Sequence, residues 1–193
     1  MELILASASP RRRELLSNAG YEYNIQAADI DESIYSGLSP YDTVKELSAA
    51  KAAFVAKNNR EAVVLGSDTI VSLDGEILGK PHSKQEAASM LRALSGKTHR
   101  VYTGVCAVLG SKSESLVIYT DVTFYELSES QIENYIETGE PMDKAGAYGI
   151  QGYGSVLVKG INGDYYTVMG LPMAETARLL SRFGVYGKII DKI

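Results

Sequence analysis

A chain of 193 residues, 45% of them hydrophobic and with a net charge of −5, can build one large domain or two small lobes around a real core. Its acidic balance excludes broad affinity for nucleic acid or an anionic membrane surface, and no apolar run approaches membrane-spanning length. A single cysteine, Cys106, excludes an internal disulfide and, within the apolar run 105–109, reads as a buried thiol in a reducing compartment. Residues 2–6 are too short for a secretory h-region, so the expected location is the cytoplasm.

In chain order, a short apolar strand at 2–6 runs into Ser7, Ser9, Pro10 and three arginines, with a helix expected over 11–19 and stopped at Gly20. A strand is expected near 21–27, then a long helix from the Ser39-Pro40 start to about Asn58. The continuous apolar run from Ala62 to Ser67 reads as a buried strand, and Asp74-Gly75 between Ile70-Val71 and Ile77-Leu78 as a hairpin turn. A capping box at 83–86 opens a helix to about Ser95; strands near 98–109 and 115–125 follow as an antiparallel pair, and a second capping box at 128–131 opens a helix to Thr138. Residues 139–154 are glycine-rich and irregular, Asn162-Gly163 signals another hairpin, and a final helix follows Pro172. The lysine-bearing tail from Gly187 is expected to fray. Hairpins among crossover-length helices predict an α/β protein with a mixed sheet, without repeats or low-complexity linkers.

Four places carry chemistry. Helices favour acidic residues in the first turn, so Arg11, Arg12 and Arg13 at a helix N-terminus are either a solvated basic turn or an anion site to which Ser7, Ser9 and the first-turn amides add donors, and three adjacent charges cannot all face one ligand. Lys51 falls in the stripe formed by Val44, Leu47, Phe54 and Val55, where it either snorkels to the edge or points at an anion. Lys80, between Gly79 and Pro81, is a second cation, either a solvated loop lysine or part of a basic ring with the arginines and Lys51. Asp68 stands where the apolar strand 62–66 stops, a place where α/β proteins put catalytic carboxylates. It is suited to activating water, to binding a divalent cation with Asp29, Asp31 or Glu32, or to capping a turn. Oxygen ligands favour Mg²⁺ or Mn²⁺ over zinc. The run 140–152, rich in glycine, lets backbone approach a ligand closely or is simply structural, and Gln151 in it offers a donor and an acceptor suited to a base edge.

Neither a P-loop, a dinucleotide-binding glycine fingerprint nor a nucleophile elbow is present, and two histidines with one cysteine give no metal spacing. Basic groups with carboxylates point instead to metal-assisted attack on phosphate. The motifs Ser-x-Ser-Pro-Arg-Arg at 7–12, Ser-Asp-Thr at 67–69, Gly-Lys-Pro at 79–81 and Asp-Lys-Ala-Gly-Ala-Tyr-Gly-Ile-Gln-Gly at 143–152 resemble the Maf proteins, nucleoside triphosphate pyrophosphatases. The resemblance covers nearly all of residues 1–193 as a single Maf-like domain. It implies an inosine triphosphatase-like fold, with two lobes around an elongated mixed sheet and a central cleft.

The same resemblance implies roles. Asp68 matches the proton acceptor, Glu32, Lys51 and Lys80 match active-site positions, and Arg12, Thr69 and Gln151 match the positions marking the subgroup that acts on dTTP and UTP. The expectation is hydrolysis of a pyrimidine nucleoside triphosphate to monophosphate and pyrophosphate, with Ser7, Arg11, Arg12, Lys51 and Lys80 on the phosphates. Glu32 and Asp68 are candidate ligands of the divalent cation. A homodimer is implied too. The competing expectation is a non-catalytic nucleotide-binding regulator of cell division.

Overall fold

The computed structural model describes residues 1–35 and 37–189. Among the described residues, seven strands form one mixed sheet in the order β2-β1-β3-β5-β6-β7, with β4 paired to β3. Strand β1 (Leu3–Leu5) lies parallel to both β2 (Asn24–Ile25) and β3 (Val63–Leu73), whereas β4 (Glu76–Leu78) returns antiparallel on β3. The turn between β3 and β4 has Asp74 at φ 51° and Gly75 at φ 90°, the left-handed pair that a two-residue hairpin requires. Strands β5 (Thr98–Leu109) and β6 (Lys112–Phe124) join at Gly110-Ser111. The Phe124 amide donates to the Lys97 carbonyl at 2.9 Å, which closes the expected antiparallel pair. Strand β7 (Val158–Asn162) is antiparallel to β6, with Asn162 opposite Asp121.

The helices begin where the capping residues stand. Helix α1 (Pro10–Asn18) has Ser9 as N-cap, α2 (Pro40–Ala56) has Ser39, and α3 (Lys84–Leu94) has Ser83. The capping box of α4 (Glu129–Glu137) is complete, with Ser128 and Gln131 bonding reciprocally. Helix α5 (Tyr165–Met169) precedes α6 (Met173–Ser181), which follows Pro172 as expected.

Two compact units share the chain. The first holds residues 1–68, 103–118 and 170–193, and the second holds 69–102 and 119–169. In the first, Ile4, Ala6, Ala52, Val55, Val64, Cys106 and Val108 pack together. The second centres on Leu91, Leu94, Phe124, Ile132, Ile136 and Tyr148. Cys106 is free and buried, as read from the sequence.

Several local expectations are corrected. The strand near 21–27 shrinks to two residues. The strand holding Asp68 does not stop at Ser67 but runs to Leu73, because Ile70 and Val71 continue the buried extended run beyond the polar triplet. Phe54 is 40% exposed and leaves the helical stripe; small residues, Ser48 and Ala52, replace it on the buried face of α2. The hairpin at Asn162-Gly163 does not form. Asp164 instead accepts from the Thr167 amide at 2.7 Å and its hydroxyl at 2.8 Å, which turns the chain into α5. The tail from Gly187 starts tethered: the Lys188 amide donates to the Ala19 carbonyl at 3.2 Å and Gly187 lies against Tyr21. Positions 190–193, included in the fraying expectation, lie outside the described residues.

Candidate active site

The site in the first unit begins at the loop from β1 into α1. Ser7 is buried, and its Oγ accepts from the Ser9 amide at 3.2 Å and from Arg12 Nη1 at 3.0 Å, leaving its own hydroxyl proton to donate elsewhere. Arg12 Nε donates to the Gly170 carbonyl at 2.8 Å. Arg12 is thus folded back from the first turn of α1. Burial pushes its guanidinium pKa below the usual value, opposed by the attraction of Asp68, and the group still keeps its charge. Arg11 lies beside it on the same turn and is half-buried.

Helix α2 supplies the second cation through an unusually close approach to the sheet. A Cβ at Gly66 would strike the Ser48 carbonyl and come within 2.9 Å of Ala52 Cβ, and one at Gly104 would strike the Val44 carbonyl. Gly66 and Asp68, two residues apart on β3, face the same side. Lys51 on α2 therefore reaches across to Asp68 Oδ1 at 2.6 Å, and its Nζ also meets Glu32 Oε1 at 2.7 Å. The Lys51 side chain is 13% exposed and that of Asp68 11%, so the snorkelling alternative is overturned. Glu32 comes from the 3₁₀ turn Glu32–Tyr35, which Asp31 caps by accepting from the Ser33 amide and hydroxyl at 2.9 and 2.6 Å. Asp29 is exposed; of the three acids before α2, Glu32 is the one paired with Lys51.

Desolvation dominates the Asp68 carboxyl and raises its pKa above the ordinary carboxylate range. Lys51 and Arg12 pull it down, and Glu32 pushes it up. Asp68 does not cap a turn; it sits mid-strand in a cationic, largely dry setting suited to proton acceptance. On the opposite side of the strand, Ser67 Oγ donates to the Gly170 carbonyl at 3.1 Å, the same oxygen that holds Arg12. Sequence reading missed Gly170. Its φ of 108° just before Leu171-Pro172 is the physical mark that singles it out, since only glycine enters that backbone region readily.

No cluster of three or more His, Cys, Asp or Glu side chains with metal-binding geometry occurs among the described residues. Two carboxylates, Glu32 and Asp68, do stand close together on either side of the Lys51 ammonium, each with a second oxygen not used by that ion pair. That donor set fits Mg²⁺, which is commonly held by one or two carboxylates together with substrate phosphates.

The second unit holds Thr69, Lys80 and Gln151. Thr69 is half-buried directly after Asp68 on β3, and Lys80 is exposed just after β4. The Gly79 carbonyl accepts from the Gly146 amide at 3.0 Å, tying the lysine-bearing loop to the glycine-rich segment. Gly146 has φ 69° and presses on Val71, whose Cγ1 would lie 2.9 Å from an added Cβ. Tyr148 is buried; its hydroxyl meets His99 Nε2 at 2.8 Å, and Phe124 stacks edge-on against both rings. Gln151 is half-buried between the 3₁₀ turns Ala145–Ala147 and Gly152–Leu157.

A mixed α/β fold with a buried carboxylate paired to a lysine and influenced by an arginine suits phosphate chemistry better than that of a nucleophile triad. The chain belongs to the Maf-like protein family, whose model matches residues 2–183. A Bacillus pumilus dTTP/UTP pyrophosphatase is 53% identical over 184 residues, covering 95% of this chain and 97% of the relative. The dTTP/UTP pyrophosphatase of Moorella thermoacetica is 53% identical over 186 residues, covering 95% and 96%. Among solved structures, the Staphylococcus aureus Ham1 protein aligns at a TM-score of 0.48 and 13% identity over 65% of this chain and 73% of that one.

Proposed function

We propose that this chain hydrolyses dTTP and UTP to the nucleoside monophosphate and pyrophosphate. The observation that carries the reading is the Glu32–Lys51–Asp68 pairing with Arg12 rooted beside it. Lys51 occupies Oδ1 of Asp68, which leaves Oδ2 to accept the proton of a water attacking the α-phosphorus. A base whose pKa is raised by burial holds that proton more readily than an ordinary aspartate would. Arg12 and Lys51, already oriented, stabilise the charge that gathers as pyrophosphate leaves; Ser7, Arg11 and Lys80 add donors to the phosphates.

Glu32 would hold Mg²⁺ or Mn²⁺, with Asp68 as a further ligand or as the partner of water on the ion, which supplies Lewis-acid polarisation of the phosphoryl oxygens when bound. The Maf motif positions Arg12, Thr69 and Gln151 support pyrimidine choice. The side-chain amide of Gln151 pairs with the N3–H donor and a neighbouring carbonyl acceptor of thymine and uracil; cytosine presents a different pattern, an acceptor at N3 beside an amino donor. The acidic net charge supports a small-molecule partner rather than nucleic acid, and no helix among the described residues is long and apolar enough to cross a membrane. Family membership supports a homodimer and a cytoplasmic, nucleotide-clearing role. The relatives' printed activity speaks against the non-catalytic regulator.

Pyrophosphate release from dTTP, UTP, CTP and 7-methyl-GTP, measured with Mg²⁺, with Mn²⁺ and with a chelator, tests the reading. Turnover of dTTP and UTP above the other two, abolished by the chelator, is expected. No release from any triphosphate overturns it.

A further inference from the structure

The segment around Gln151 is held by a carboxylate and a phenol to which the proposed reaction gives no task. Glu140 stands in the short 3₁₀ turn Glu140–Asp143 that follows α4, and Tyr135 lies on α4, 5% exposed. Glu140 Oε1 accepts from the Gly154 amide at 3.0 Å and from the Tyr135 hydroxyl at 2.9 Å, and Oε2 accepts from the Tyr153 amide at 2.9 Å. The Tyr135 oxygen in turn accepts from the Gly149 amide at 3.0 Å. Three main-chain N–H groups, two residues before Gln151 and two and three after it, thus converge on one ionised side chain and its relay.

Sterics match this bonding. Gly152, at φ 63°, packs directly on the Glu140 carboxylate, whose Cδ would lie 3.1 Å from an added Cβ, and a Cβ at Gly154 would lie 2.7 Å from the Tyr135 hydroxyl. The Gln151 side chain makes no hydrogen bond among the described residues, so its place is inherited from its backbone. Two or more amide donors suit a carboxylate and not a carboxamide, whose NH₂ would face another donor. Desolvation is the largest single influence on the Glu140 carboxyl and opposes ionisation, but the Gly154 and Tyr153 amides, the Tyr135 hydroxyl and the nearby Lys144 charge together outweigh it and hold the carboxyl below its ordinary value.

We propose that Glu140, with Tyr135 as its relay, is a positioning residue that fixes the backbone on both sides of Gln151 and so sets which base this protein accepts. The inference rests on the reading of Gln151 given above. Its effect is on discrimination, and it makes no contact with the reacting phosphate.

The test compares wild type, Glu140→Gln, Tyr135→Phe and Gln151→Ala, each assayed for kcat and KM on dTTP, UTP and CTP, with amide hydrogen exchange read at Gly149, Tyr153 and Gly154. Glu140→Gln should raise KM for dTTP and UTP about tenfold, from the loss of charge-assisted bonds, and leave kcat far less changed. It should narrow the dTTP-to-CTP ratio of kcat/KM and speed exchange at the three amides. Tyr135→Phe should do the same more weakly, with Gly149 exchange most affected; it serves as the test should Glu140→Gln fail to fold. A selectivity ratio that collapses in Gln151→Ala but survives in Glu140→Gln, or in Tyr135→Phe as its stand-in, overturns the positioning role and leaves the Gln151 reading standing. An unchanged ratio in Gln151→Ala overturns both, whatever the exchange rates. A uniform loss on all substrates, tracking a lower melting temperature, marks Glu140 as merely structural and likewise overturns the inference.

Discussion

The surroundings of Asp68 and those of Gln151 are ordered by opposite means. Around Asp68, side chains on regular elements pair charge with charge: Lys51 from a helix, Asp68 from a strand, Arg12 from a helix start. Around Gln151 there is little regular structure, and a side-chain carboxylate ties down backbone amides. The first arrangement stores electrostatic tension in a desolvated carboxylate, which suits chemistry. The second satisfies donors and fixes a shape, which suits recognition. Substitutions in the two regions should therefore separate rate from selectivity.

The largest effect is expected at Asp68. Asp68→Asn should lower kcat by ~10²–10⁴-fold through loss of the base. Because burial raises the folded-state pKa, carrying the charge costs the folded state more than the unfolded chain, and exchange for the neutral amide should not lower the melting temperature at pH 7. Retained activity in a folded Asp68→Asn protein would break the comparison at its root.

Next comes Lys51→Met, which keeps most of the stem but removes the charge. A loss of roughly 10²-fold in kcat is expected if the ammonium stabilises the leaving charge. Lys51 is also the largest influence lowering the Asp68 pKa, so the acid limb of the pH–rate profile should move to higher pH. An unmoved limb would separate Lys51 from Asp68.

The second region has its own acid signature. Burial lowers the His99 pKa from 6.5 to about 4, opposed by the attraction of Asp121. The unfolded chain takes up this proton as pH falls through 6.5, whereas the folded protein resists until about 4. Stability should fall across that window by roughly 3 kcal/mol in all. His99→Asn should flatten this slope in denaturant titrations at successive pH values; an equal slope in both proteins would refute the assignment.

The smallest effect is expected at Gln151. Gln151→Glu should lower kcat/KM for dTTP and UTP about tenfold, the order of one or two mismatched hydrogen bonds, and change purine triphosphates less. An equal loss on all substrates would erase the proposed division between rate and selectivity.

What the sequence revealed follows the range of its signals. Ser9, Ser39 and Ser128 act within three residues of themselves, and Asp74-Gly75 closes a turn of two, so caps and hairpin were legible. The family motifs put Lys51 and Asp68 in one active site, but their direct pairing was not legible, since it depends on Gly66 and Gly104 admitting α2, and a glycine in an apolar run does not announce what it faces. Phe54 misled because its spacing fits the stripe, while the close approach of α2 selects small side chains there. Glu140 lay inside a motif already singled out, but its partners are amides 13 and 14 residues away, and amides leave no mark in composition.

The glycines under α2 have a consequence for tolerance to change. The gap between helix and strands is set first by main chain against main chain, at the Ser48 and Val44 carbonyls, which cannot rotate aside as a side chain can. Exchanges among nearby apolar residues such as Val55, Val64 or Val108 alter how well the space is filled without altering that gap. An engineer seeking a hotter-running variant has freedom in the oily layer and none at Gly66 or Gly104, where one added methyl group would lift Lys51 away from its carboxylate.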